Sequence, residues 1–128
     1  MMVIDCSATV AFLVGGEHAE WVEDVIVKEE LQAPHLLDLE VANVLRGLVR
    51  GRIVSDRRAW RALEDLVQLA VERYSHIPFI ERIWQLRTNL SAHDASYVAL
   101  AEELATPLVT TDRRLERVPG LRTTVLVP

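Results

Sequence analysis

The sequence predicts an α/β fold in which helices cover both faces of a central, mainly parallel sheet. Short apolar runs rich in β-branched residues, such as Met2–Ile4 and Thr124–Val127, have the length and composition of buried strands. Helical patterns lie between these runs, and the order strand, helix, strand implies parallel strands joined by right-handed crossovers. We therefore expect a three-layer α/β/α sandwich.

The strands are short, and prolines end two of them. Pro34 follows the second apolar run and Pro78 the third, and proline cannot donate a hydrogen bond within a sheet. The expected strands are Met2–Ile4, Leu31–Ala33, His76–Ile77, Pro107–Val109 and Thr124–Val127.

Six helices are expected, and capping residues mark several of their ends. Ser7 is expected to cap a helix that begins near Ala8, Asp38 the third helix, and Ser55 or Asp56 the fourth. Gly51 suits the end of the third helix, and Pro78 suits the first turn of the fifth. After the helix near Ala8, the expected spans are Glu17–Lys28, Asp38–Arg50, Ser55–Tyr74, Pro78–Leu90 and Ser91–Leu104.

Composition indicates one globular domain, residues 1–128, that works in the cytoplasm. Half of the residues are hydrophobic and 26% are charged, no apolar stretch is long enough to cross a membrane, and no export signal begins the chain. A single cysteine, Cys6, excludes an internal disulfide framework. The net charge of −5 argues against a protein that coats nucleic acid. Six arginines between Arg46 and Arg61 either form a solvated helix face, the favoured interpretation, or a local rim for phosphates.

Four acids lie where strands end or helices begin. Asp5 and Asp112 come just after predicted strands, and Glu40 and Asp94 lie in the first turns of predicted helices. Each acid alone could be a helix cap or could complement a helix dipole, and Ser91-x-x-Asp94 fits a capping box.

Taken together, the four acids predict a cation site. Parallel strands and the helices that follow them place all four at one edge of the sheet, where sites form in α/β folds. Carboxylates crowded there repel one another unless a cation neutralises them. Oxygen ligands without histidine or cysteine favour Mg²⁺ or Mn²⁺, and the main use of such a cluster is phosphate-ester chemistry.

Three stretches of the chain resemble PIN domains, and among them the VapC-type toxins of bacterial toxin–antitoxin pairs. They are VIDCSATVAFL, APHLLDLEVANVLRGLVRGR and SAHDASYVALAEELATPLVTTDRRL. The resemblance implies an active-site set of acids that also bind metal, and supporting polar residues beside them. The acids are Asp5, Glu40, Asp94 and Asp112, and the supporting residues are Ser7, Asn43 and Thr110. Cys6 departs from the family pattern, which has a small residue or threonine there.

The same resemblance implies an Mg²⁺- or Mn²⁺-dependent endoribonuclease. It would hydrolyse phosphodiester bonds in tRNA or rRNA with metal-activated water, be blocked by a small VapB-type antitoxin, and form a homodimer. Arg46, Arg50, Arg113 and Arg114 are candidates for contacts with flanking phosphates. Two alternatives stay open at this point: a PIN-like protein that binds metal or a partner without cleaving, and a PIN nuclease of RNA maturation.

Overall fold

A five-stranded sheet forms the centre of the computed structural model, which describes residues 1–128. All four pairs of neighbouring strands are parallel, in the order β3-β2-β1-β4-β5. The strands are β1 (Met2–Ile4), β2 (Leu31–Pro34), β3 (Val71–Tyr74), β4 (Leu108–Val109) and β5 (Val125–Leu126).

Six α-helices lie on the two faces of the sheet, as predicted for a three-layer sandwich. They are α1 (Cys6–Val14), α2 (Ala19–Ile26), α3 (Leu36–Arg50), α4 (Asp56–Gln68), α5 (Ile80–Gln85) and α6 (Ala92–Glu103). Helix α6 packs against β1, β2 and β4 with α5 beside it, while α1 packs against α2, α3 and α4. Residues 95–101 of α6 are all buried, as expected for a helix enclosed on every side. No helix is long and apolar enough to span a membrane.

The register of β1 and β4 places Asp5, after β1, beside the residues that follow β4. Val3 pairs with Leu108 and Ile4 with Val109, so the residues that follow each strand emerge side by side. The backbone N–H of Asp5 donates to the carbonyl of Val109 at 3.2 Å. This edge, at the carboxyl ends of the strands, is the one at which α/β sheets form sites.

The predicted helix Ser55–Tyr74 and the predicted strand His76–Ile77 are both wrong. Helix α4 ends at Gln68, where Leu69 turns extended, and Val71–Tyr74 forms strand β3 beside β2. Pairing with β2 buries Val71 and overrides the helical pattern of the sequence. Ile77 instead begins a short 3₁₀ turn, Ile77–Phe79, because Pro78 fits a first turn and cannot pair within a sheet.

The other helix lengths differ modestly from the predictions. Helix α2 is shorter at both ends than the predicted Glu17–Lys28, and α5 ends at Gln85 rather than Leu90. Ser91 caps α6 as predicted, with its hydroxyl accepting from the Asp94 N–H at 3.1 Å.

The predicted caps Ser7 and Asp38 are both wrong, because each side chain bonds to another side chain instead: Ser7 to Asp5 and Asp38 to Arg73. Asp5, not Ser7, is the N-cap of α1. Helix α3 begins at Leu36, so Asp38 lies inside its first turn, where the Arg73 guanidinium holds both carboxylate oxygens at 2.8 Å. The earlier start also moves Glu40 into the second turn of α3.

Candidate active site

Asp5 lies at the junction of β1 and α1 with its side chain buried. One carboxylate oxygen accepts from the Ala8 N–H at 2.9 Å and from the Ser7 hydroxyl at 2.8 Å, and the residue is 6% exposed. Burial raises the pKa of Asp5 to about 6, although hydrogen bonds from Ala8, Thr110 and Ser7 act in the opposite direction. The negative charge of Asp94 raises the pKa of Asp5 further.

A chain of hydroxyl groups connects Asp5 to Asp112. Ser7 Oγ lies 3.1 Å from Thr110 Oγ1, and it accepts from the Thr111 N–H at 3.0 Å. Thr110 Oγ1 in turn accepts from the Asp112 N–H at 3.0 Å. Ser7 and Thr110 therefore join the ends of β1 and β4 through side chains as well as through the sheet.

Asp112 is paired with an arginine two residues further along the chain. Arg114 Nη2 lies 2.6 Å from one carboxylate oxygen and Nε lies 3.0 Å from the other. These hydrogen bonds hold the pKa of Asp112 below its usual range. The Arg114 side chain is 86% exposed, so it can leave the carboxylate without disturbing the core.

Glu40 is held by a buried tyrosine from the opposite layer of the sandwich. The Tyr97 hydroxyl donates to Glu40 Oε1 at 2.6 Å, and Tyr97 is 2% exposed. Burial and the bond to Glu40 raise the pKa of Tyr97, so its hydroxyl keeps the donated proton. His93 Nδ1 lies 3.8 Å from the other Glu40 oxygen.

Asp94 is the acid whose carboxylate has no partner within the chain. It lies in the first turn of α6 and is partly buried. The Ser91 hydroxyl caps its backbone N–H, but its carboxylate returns no hydrogen bond, so only half of the predicted capping box forms. Asp94 and Asp112 line the same surface cleft.

Cys6 lies half-buried at the start of α1, next to Asp5 in the chain. Burial raises the pKa of its thiol to about 12, and the charges of Glu40, Asp5 and Asp94 all act in the same direction. Burial and these charges therefore keep the thiol protonated, and so weakly nucleophilic, at neutral pH.

The acids lie at one edge of the sheet, but their side chains do not form a metal-binding site in this conformation. No three acidic, histidine or cysteine side chains lie close enough together to hold a cation. Asp5 is engaged as a cap, Glu40 by Tyr97 and Asp112 by Arg114. The donor set nevertheless suits Mg²⁺ or Mn²⁺, since it contains only hard carboxylate and hydroxyl oxygens.

The other predicted residues are less closely tied to the acids. Asn43 is exposed and its side chain makes no hydrogen bond. Arg113 donates to the carbonyl of Pro128, and Arg46 and Arg50 line a groove between α3 and α4.

Two contacts at the site were missed by sequence reasoning, those of Tyr97 with Glu40 and of Arg114 with Asp112. Tyr97 lies three residues after Asp94, hence on a neighbouring part of the same helix face. A tyrosine among the small residues of α6 was a usable signal, because a buried hydroxyl needs a partner. For Arg114 the sequence predicts a contact with phosphate, and its position two residues after Asp112 is the signal for the ion pair.

Sequence comparison places the chain among known ribonucleases. Residues 2–121 match the PIN domain family. The chain is 46% identical over 115 residues to VapC ribonuclease Mb0985 of Mycobacterium bovis, covering 90% of this chain and 88% of that protein. It is 45% identical over 121 residues to ribonuclease VapC1 of Mycobacterium tuberculosis, covering 93% of this chain and 91% of that protein.

Solved structures share the fold. The Mycobacterium tuberculosis toxin VapC20, described as cleaving the sarcin–ricin loop, has a TM-score of 0.74 at 14% identity, with both chains fully covered. VapBC2 of Rickettsia felis, solved with a DNA fragment from its promoter, has a TM-score of 0.69 at 12% identity, covering 98% of this chain and 97% of that chain. With the sequence matches and the acidic edge of the sheet, these findings establish that the chain belongs to the PIN-domain family, among its VapC ribonucleases.

Proposed function

We propose that this chain is the toxin of a type II toxin–antitoxin pair and an endoribonuclease that uses Asp5, Glu40, Asp94 and Asp112 to hydrolyse phosphodiester bonds in cellular RNA. The observation that carries the residue assignment is the placement of these acids. They come from four separate elements at the carboxyl-terminal edge of the parallel sheet, and the Asp94 carboxylate has no partner within the chain.

Asp5, Asp94 and Asp112 would hold Mg²⁺ or Mn²⁺, with Glu40 as a further ligand or as the group that orients the attacking water. The bound cation would supply positive charge for the scissile phosphate and bring the pKa of a water towards neutrality. Arg114 must release Asp112 for this role, and the exposure of its side chain allows that.

The surrounding residues keep the acids in place. Ser7 and Thr110 donate and accept hydrogen bonds between Asp5 and the Asp112 backbone, and Tyr97 fixes one oxygen of Glu40. Such neighbours orient ligands and are often as important as the ligands themselves. Asn43, one turn after Glu40, keeps its predicted supporting role as part of the proposal.

The biological setting follows from the family. We propose tRNA or rRNA as substrate, a VapB-type antitoxin that covers the acidic edge, a homodimer, and action in the cytoplasm, where those RNAs are found. The named relatives that are ribonucleases support an RNA substrate, and the VapBC2 neighbour supports an antitoxin partner. Residues 1–128 act as one domain in this proposal, since one sheet includes strands from Met2 to Leu126.

The test is cleavage of a total small-RNA pool by purified protein freed of any antitoxin. Reactions contain Mg²⁺, Mn²⁺ or EDTA, and an Asp94→Asn variant is compared with the wild type. Asp94→Asn preserves size and removes the charge that would hold the cation. Asp24→Asn, on the exposed side of α2, is the matched control because it makes the same change away from the site.

Discrete fragments that require metal and persist with Asp24→Asn, but disappear with EDTA and with Asp94→Asn, are the expected result. Fragments that persist with Asp94→Asn would refute the assignment of this acid. Absence of cleavage by the metal-loaded wild type across several RNA pools would favour a PIN-like protein that only binds.

A further inference from the structure

A cleft of about 540 Å³ opens directly beside two of the acids. Asp94 and Asp112 line it, together with the segment that leads into α6 and the turn that follows β4, which includes Arg114. Its volume lies within the range of about 300–1,000 Å³ that is usual for small-ligand sites. The cleft therefore has room for a group attached to whatever the acids bind.

The lining of the cleft combines an apolar floor with free polar groups. Leu90 and Leu115, 8% and 3% exposed, form its buried side, and Val118 and Pro119, half-buried and exposed, supply apolar surface that a ligand can contact. Asn89 and Arg117 also line the cleft, both are exposed, and neither side chain has a hydrogen-bond or ion-pair partner within the chain. Free polar groups beside accessible apolar surface suit a ligand that is apolar on its face and polar at its edge.

We propose that this cleft binds the nucleotide next to the scissile phosphate, with its base against Val118 and Pro119, its base edge on the Asn89 amide, and its phosphate on Arg117. This inference rests on the proposed ribonuclease function and deepens it by assigning a determinant of substrate choice. The acids contact only phosphate and cation, which are the same at every position of an RNA, so sequence preference must come from neighbouring groups.

The chemistry of the lining favours a single-stranded RNA segment. Base edges are accessible to side chains mainly in loops and bulges, where unstacked bases can lie against a protein surface. An amide group both donates and accepts, as the edge of a base requires. Arg117 supplies positive charge for the backbone in a protein whose net charge is −5.

Binding of a fluorescein-labelled, random-sequence RNA decamer, measured by anisotropy in Mg²⁺, tests the cleft. The protein carries Glu40→Gln to slow hydrolysis, and Asn89→Ala, Arg117→Ala or Arg57→Ala is added singly. Arg57 is the matched control because it is an exposed arginine in the first turn of α4, does not line the cleft, and belongs to the arginines interpreted above as a solvated helix face. In parallel, the ends of cleaved pool RNA are sequenced for the variants with Glu40 intact.

Arg117→Ala should weaken binding about fivefold or more and lower the salt dependence by about one counterion, while Arg57→Ala stays within twofold. Asn89→Ala should relax the preference for one nucleotide beside the cut by about tenfold. Equal effects of Arg117→Ala and Arg57→Ala, an unchanged preference in Asn89→Ala, or no RNA binding would overturn the proposal. If Arg117→Ala weakens RNA binding but the wild type cleaves no RNA, the cleft remains a nucleotide site and the proposed hydrolysis is refuted.

Discussion

The hydrogen bond from Tyr97 to Glu40 leads to the sharpest prediction about the site. Tyr97→Phe removes one oxygen atom and leaves the ring in the core. A hydrogen bond to a charged acceptor contributes about 1.5–3 kcal/mol. The Glu40 side chain is 22% exposed, so water replaces part of the lost bond. We expect the free energy of unfolding to fall by about 1–2 kcal/mol, which lowers Tm by about 4 °C for each kcal/mol.

The same change should slow hydrolysis without weakening RNA binding. Glu40 loses the group that fixes its orientation, and loss of such a neighbour typically costs about 10–100-fold in activity or metal affinity. Tyr97 is buried and does not reach the surface that RNA would contact. We therefore expect kcat for RNA cleavage to fall by about tenfold while KM stays unchanged.

Calorimetric unfolding and steady-state cleavage measure the two effects separately. Tyr74→Phe at the end of β3 is the control, because it removes a hydroxyl that bonds to none of the four acids. A lowered Tm with wild-type kcat would show that the bond only stabilises the fold. Wild-type values for both would refute the conclusion that Tyr97 holds Glu40.

Arg114→Ala should strengthen Mn²⁺ binding, because the guanidinium competes with the cation for both oxygens of Asp112. Titration calorimetry measures the affinity, and an unchanged or weaker affinity would contradict this prediction. Low pH should destabilise the protein partly through Glu102. Burial alone would raise the pKa of Glu102, but hydrogen bonds and charges from Arg82 and Arg122 outweigh burial and hold that pKa below its usual range. This stabilisation is present above the unfolded-state pKa of about 4.3 and is lost as pH falls through the lower folded-state pKa. The Tm of Glu102→Gln should therefore vary less than that of the wild type below about pH 5, and parallel Tm curves would exclude this role for Glu102.

The family, the three-layer architecture and the ribonuclease assignment could be predicted from the sequence, and the comparisons confirm them. Strand β1 and helix α6 were predictable because their apolar runs are unambiguous and because Ser91 caps a helix by local chemistry alone. The placement of the acids followed from topology, since any parallel sheet brings the ends of its strands to one edge. Their roles as ligands stay a prediction.

The features that sequence reasoning missed depend on partners distant in the chain. Val71–Tyr74 has a helical pattern and becomes a strand only because β2 offers an edge to pair with. Asp38 would suit a helix cap if Arg73, 35 residues away, did not bind its carboxylate. The contact of Tyr97 with Glu40 spans 57 residues. No local pattern encodes such choices, because each is decided by the packing of the whole sandwich.

The hydroxyl contact between Ser7 and Thr110 spans 103 residues, and this separation has a consequence during synthesis. Domains emerge from the ribosome with the N-terminal part first, so Asp5 is made long before its neighbours at the end of β4. Until β4 pairs with β1, the first and last acids cannot share an edge. A nascent chain therefore carries no assembled acidic edge until the residues of β4 have been made and have paired with β1.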